Sequence, residues 1–154
     1  MAPPATSVRV QAEPFGVEAE IEALAAGRTD IGAIVTFTGL CRDEAGTLAA
    51  LEIEHYPGMA EAEIASVVAE AEARWPLAGV RAIHRYGRIR PGDPIVLVVT
   101  ASRHRVAAFE AASFLMDYLK ARAPFWKKEH RVDGTARDWV AAKESDDEAA
   151  ARWG

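Results

Sequence analysis

Two lysines, Lys120 and Lys127, stand seven residues apart in a stretch from Phe114 to Arg131 that reads FLMDYLKARAPFWKKEHR. Lys120 follows Met116 by four residues and Phe109 by eleven, so helical spacing places its ammonium on a stripe of apolar residues. A lysine drawn partly out of water, with Arg122, Lys127 and Lys128 close in sequence, gives up its proton more readily and becomes a candidate nucleophile or proton carrier. Pro124 bars Ala123 from the helical region, so the helix should end near Arg122 and the chain should emerge extended. In an extended chain Phe125, Lys127 and Glu129 share one face, with Trp126 and Lys128 on the other. A strand returning beside the helix end would bring Lys120 and Lys127 to one pocket floored by Phe125. Basic residues at a helix C-terminus also offset the helix dipole and are commonly solvated, and spacing alone leaves both readings open.

A second candidate site is the sequence SRHR at residues 102–105. Ser102 reads as an N-cap, which would place Arg103, His104 and Arg105 in the first helical turn, where three bases oppose the dipole; a bound phosphate or carboxylate is one reading and three exposed side chains with no role the other. Arg42, on a polar loop after an apolar run, is a weaker candidate by itself. His55, His84, His104 and His130 fall on separate segments and the chain has one cysteine, so no spacing resembles a zinc site and no metal is expected. Neither a Walker loop, a dinucleotide fingerprint nor a nucleophile elbow is present, and no cofactor is expected. Cys41 reads as a small buried hydrophobe, with a persulfide-carrying thiol as the alternative.

The elements that would position these residues follow from periodicity. Ser7 to Ala12 alternates as a short first strand, and Val17, Ile21, Leu24 and Ala25 mark a helical face ending at Gly27. Ile31 to Leu40 reads as a central strand, with Gly32 and Gly39 suggesting close backbone approach or a bulge. After the loop Cys41 to Gly46, Leu51, Ile53 and His55 alternate with Glu52, Glu54 and Tyr56, and Pro57 and Gly58 turn the chain into a helix that Pro76 closes. Val80 to Ile89 and Ile95 to Thr100 read as two strands joined by a turn at Arg90 to Asp93. Asp133 and Gly134 offer a hairpin into Thr135 to Val140, and Lys143 to Trp153 reads as a short charged helix or tail. The pattern predicts one α+β domain over residues 1–154, with about three main helices and a largely antiparallel sheet.

Half of the 154 residues are hydrophobic and 27% are charged, ordinary values for a globular domain of this size. A net charge of −5 argues against a nucleic-acid binder, and local basic clusters in an acidic chain suggest a small anion instead. One cysteine excludes an internal disulfide and fits a reducing compartment. No apolar run is long enough to span a membrane and the start lacks a secretory signal pattern, so a cytoplasmic location is expected.

Long stretches of the chain resemble a known family. TFTGLCR (36–42), LEIEHYPGM (51–59), RWPLAGVRAIHRYG (74–87), FEAASFLMDYLKARAPFWKKE (109–129) and KESD (143–146) resemble, in order, the large, catalytic subunit of molybdopterin synthase. The resemblance implies an α/β-hammerhead fold and a sulfurtransferase of molybdenum cofactor biosynthesis. Such an enzyme converts cyclic pyranopterin monophosphate into molybdopterin, with sulfur delivered as the C-terminal thiocarboxylate of a small ubiquitin-like carrier subunit. It also implies a central homodimer of large subunits with a carrier at each end, a heterotetramer. Carried over by residue, it assigns catalysis to Lys120 and Lys127. Substrate contacts fall on Leu40, Cys41, Arg42, His104, Arg105, Lys128 and Glu129 together with the two lysines. From the residues alone, a Schiff-base lysine enzyme and a non-catalytic anion-binding or scaffold module remain as alternatives.

Overall fold

Gly87 holds φ at +93°, and the chain changes sheets there. The computed structural model describes residues 5–140 and 144–153. In chain order these form β1 (Ala5–Gln11), α1 (Val17–Ala25), β2 (Ala33–Leu40), β3 (Leu48–His55), α2 (Met59–Arg74), β4 (Leu77–Arg85), β5 (Gly87–Ile89), β6 (Pro94–Ser102), α3 (Arg105–Arg122), β7 (Phe125–Arg131) and α4 (Glu144–Ala151). One sheet runs β1-β4-β6-β2 and the other β5-β3-β7. All pairings are antiparallel except β1 with β4, so the α+β, largely antiparallel expectation holds among the described residues.

β4 and β6 lie at the centre of the larger sheet and are buried along almost their whole length. Their side chains alternate between two cores, as a period of two requires. Val96 and Val98 face α2 and α3, while Leu97, Val99 and Ala101 join Leu24 of α1 on the other face. At Gly39 a Cβ would meet Val96 Cγ1 at 2.6 Å, and the β2–β6 register slips at that residue, the close approach expected of a strand glycine.

Three local expectations are corrected. Val80 to Ile89 is not one strand: Arg85 ends β4 by donating to the carbonyls of Ala12 and Pro94, and the left-handed Gly87 redirects the chain so that β5 pairs with β3. Ser102 is not the N-cap of α3. It is the last residue of β6, its hydroxyl donates to the Pro76 carbonyl at 2.8 Å, and His104 occupies the cap position with no side-chain cap bond. Thr135 to Val140 is not a strand either. The Asp133–Gly134 turn forms, but the return bridges β7 only at His130–Ala136 and Lys127–Val140. Three steps along β7 match four on the return, so an extra residue breaks the ladder.

A charged triad ties α1 to the larger sheet. Glu20 accepts from Arg9 and from Arg81, the latter at 3.0 Å. Burial alone would raise the Glu20 carboxyl, but the two guanidiniums outweigh it and hold the group below its ordinary value near 4.5. A depressed carboxylate stabilises the fold above its unfolded pKa and loses that contribution as pH falls through the lower, folded value. Glu20→Gln should therefore cost about 1–3 kcal/mol at neutral pH, with a gap to wild type that narrows below about pH 4. Denaturant titrations at neutral and acid pH check this, and a gap independent of pH would refute it.

Candidate active site

Pro124 does what its covalent geometry demands: α3 ends at Arg122, Ala123 is extended, and β7 begins at Phe125. Arg122 fixes the helix end against α2. It donates to Glu63 at 2.7 Å and to Glu70 at 3.0 Å, and these two carboxylates hold its guanidinium charged. These two glutamates of α2 thus anchor the turn of helix that carries Lys120. β7 then returns along β3, with Phe125 opposite His55 and Lys127 opposite Ile53.

A cavity of about 940 Å³ lies at this junction. Lys120 enters it from the last turn of α3, and Phe125, Lys127 and Glu129 enter from one face of β7. Leu40, Cys41 and Arg42 line it from the end of β2 and the loop beyond. Two sequence expectations change. Lys120 is exposed, as is Phe109, so the stripe they share is the solvent edge of α3 and not its core face, which runs through Ala107, Ala111, Phe114, Leu115 and Leu119. Lys128 points away from the cavity, with its ammonium 5.3 Å from the centre of the Trp139 ring.

His104 and Arg105 do not line this cavity. They begin α3 and Lys120 nearly ends it, and a rise of 1.5 Å per residue separates Arg105 from Lys120 by about 22 Å. Lys143, in the KESD stretch, lies outside the described residues.

Three cavity residues were not anticipated. Arg131 continues the Phe125–Lys127–Glu129 face, and Arg137 reaches it from the return segment, where it pairs with Glu129 at 3.5 Å. The alternation signalled Arg131; nothing in the sequence signalled Arg137. With them, the lining carries five basic side chains (Arg42, Lys120, Lys127, Arg131, Arg137) against three acidic ones (Glu44, Glu129, Asp138) in a chain of net charge −5. Such a lining favours an anion. The third is His84, buried near the end of β4, whose ring stacks on Phe125 at 3.7 Å and 13° and whose Nδ1 lies 2.8 Å from the Arg85 carbonyl. Burial above all, with the charges of Lys127 and Lys120 acting the same way, pushes its pKa down to about 3, so the imidazole stays neutral.

Cys41 is 2% exposed, its thiol lies 3.7 Å from the Ile89 carbonyl, and burial pushes its pKa up, which disfavours the thiolate that sulfur chemistry needs. Its backbone is held by Asp93 and Gly92 through bonds of 2.8 and 2.7 Å, so the residue fixes the loop beside Arg42 through its main chain.

Against known proteins, residues 10–122 match the family model described as MoaE protein. A molybdopterin synthase catalytic subunit from Mesorhizobium japonicum is 67% identical over 149 residues, which span 97% of this chain and 94% of that protein. The solved structure of a molybdopterin biosynthesis MoaE protein from Burkholderia ambifaria superposes with a TM-score of 0.84 at 47% identity, covering 97% of this chain and 98% of that one. The protein–protein complex of subunits 1 and 2 of molybdopterin-converting factor from Helicobacter pylori shares the fold, with a TM-score of 0.71 at 19% identity over 89% of this chain and 90% of that one.

Proposed function

The chain belongs to the MoaE protein family, and from that premise we propose that its basic cavity holds cyclic pyranopterin monophosphate beside the thiocarboxylate end of a small ubiquitin-like carrier. The chain is the catalytic subunit of molybdopterin synthase, an enzyme of molybdenum cofactor biosynthesis, and its partner is the small subunit of that synthase. The observation that carries the site is the convergence of Lys120 and Lys127 from two elements on one cavity whose charged lining is mainly basic. Both reactants are anions, a phosphate and a thiocarboxylate, and such a lining draws them together against their mutual repulsion.

Lys120, at the end of α3 and open to the incoming carrier tail, assists the acyl and sulfur transfer. Lys127, deeper and on the Phe125 face, moves protons and stabilises developing negative charge. Arg42, with the backbone of Leu40 and Cys41, holds the substrate at the loop, and Glu129 orients the β7 side. Each carrier brings one sulfur, so the dithiolene takes two carriers. The chain works as one domain over residues 1–154, in the cytoplasm; no described helix is long and apolar enough to cross a membrane.

His104 and Arg105 reach the substrate anion only when a second copy of the chain presents its own α3 start to this cavity, because about 22 Å of helix separates them from Lys120 in one copy. The central homodimer supplies that copy. Mixing inactive Lys120→Ala with inactive Arg105→Ala protein should then recover about a quarter of wild-type activity, since half of randomly re-formed dimers carry one intact site of two. No recovery after subunit exchange would place both residues outside the shared site.

The function itself is tested by single-turnover conversion of cyclic pyranopterin monophosphate by the purified protein mixed with thiocarboxylated carrier. Wild type and Cys41→Ala should both form the dithiolene. A folded wild type that binds carrier and makes no product would return the chain to the anion-binding module.

A further inference from the structure

His84 occupies the next-to-last position of β4, between Val10 of β1 and Val96 of β6. Such a position in a central strand ordinarily takes an aliphatic side chain. Here it takes an imidazole fixed in two ways. The stack on Phe125 sets the ring plane, and the contact at 2.8 Å sets the tautomer: a carbonyl only accepts, so Nδ1 carries the hydrogen and donates to Arg85. The remaining ring nitrogen, Nε2, therefore carries a lone pair, on a ring that lines the cavity. Lys127 is two residues after Phe125, on the same face of β7, so its side chain rises beside the ring that His84 covers. The same arrangement makes His84 feel Lys127 more strongly than Lys120.

We propose that His84 is a positioning residue of the synthase: its Nε2 accepts a hydrogen bond from the Lys127 ammonium and directs that group into the cavity. A neutral acceptor suits the task. A carboxylate there would neutralise the cation and repel anionic reactants, whereas an imidazole directs the ammonium and leaves its charge available. No bond is made or broken at His84, and no proton has to rest on it. The inference rests on the reading of Lys127 as a working residue of the site.

The test uses the full chain with thiocarboxylated carrier and compares wild type, Lys127→Met, His84→Phe, His84→Gln and the double variant His84→Phe/Lys127→Met. Phenylalanine keeps a ring to stack on Phe125 and removes the acceptor; glutamine returns an acceptor near the position of Nε2. His84→Phe should slow single turnover roughly a hundredfold, the scale of a misplaced reacting group, with half-saturating substrate within about threefold of wild type. Glutamine should recover most of that loss. The double variant should be no slower than Lys127→Met, because a residue acting through Lys127 has nothing to add once it is gone.

His84→Phe at a rate within about twofold of wild type, or effects that multiply in the double variant, would overturn the inference. Lys127→Met at full rate would instead overturn the lysine reading on which it rests. A second measurement needs no change at His84: the Nε2 nitrogen resonance should move between wild type and Lys127→Met, and an identical resonance in the two also overturns the proposal.

Discussion

Lys120→Ala should form dithiolene at least about a thousandfold more slowly than wild type in a single turnover while melting within about 2 °C of it. The two halves of that expectation come from different features. Lys120 is exposed on the last turn of α3 and alanine is the strongest helix former, so the fold loses neither packing nor a buried partner. On the proposed role, the cavity loses the group that meets the carrier terminus, and neighbouring bases do not replace it. Arg42, Arg131 and Arg137 hold charge there, but a guanidinium does not give up a proton in the working range. Lys120→Arg separates the two contributions. If the residue supplied only charge, arginine would restore most of the rate; as a proton-carrying or nucleophilic amine, it should leave the enzyme nearly as slow as the alanine variant. A folded Lys120→Ala protein turning over at the wild-type rate would remove the lysine from the mechanism.

The largest loss of stability should come from Phe114→Ala, on the buried face of the same helix. Phe114 has no exposed surface and sits inside an aromatic cluster, with ring centres of Trp75, Tyr118 and Trp153 at 5.2, 4.7 and 5.6 Å and the Arg74 guanidinium 4.8 Å from its own. Three of these neighbours are stiff rings, and Trp153 is further held by an indole bond to Asp117 at 2.6 Å, so the hole left by a phenyl group does not readily collapse. The expected cost is about 3–5 kcal/mol, or roughly 10 °C in melting temperature for a domain of this length. Thermal and urea unfolding followed by circular dichroism check it, and a cost below about 1 kcal/mol would mean that the cluster repacks freely.

The site was legible where its geometry is local. Proline and strand rules acting on a single segment gave the helix stop and put Phe125, Lys127 and Glu129 on one face, since period two on β7 and the stop at Pro124 hardly depend on the rest of the chain; that Lys120 meets them depended on β7 returning along β3. Rules of the same kind misread Lys120 itself. Helical spacing grouped it with Phe109 correctly, but which stripe of α3 faces the sheet is decided by β2 and β6, and of the three residues Met116 packs against the core while Phe109 and Lys120 stay exposed. His84 was invisible for a related reason: a histidine in an apolar run reads as an imperfect core residue until Phe125, brought in by the second sheet, lies flat against it. His104 and Arg105 show the limit in the other direction: the family resemblance groups them with the two lysines, whereas in a single copy they stand a helix length away from the lysine cavity. Gly87 carried a signal, an isolated glycine inside a strand pattern, and the pattern on either side of it was real; only the assumption that both halves belong to one sheet was wrong.

The alternation of β7 also limits how this gene segment can change in length. Phe125, Lys127, Glu129 and Arg131 face the cavity while Trp126 packs edge-on against Tyr56 on the opposite side. One codon gained or lost between Lys120 and Phe125 that slips β7 by one residue against β3 would turn every one of those side chains over, presenting Trp126 and Lys128 to the cavity and Lys127 to solvent. Point substitutions there can be conservative; a single-residue insertion or deletion cannot. The seven-residue interval between the lysines therefore does as much as their identity to bring both to one cavity.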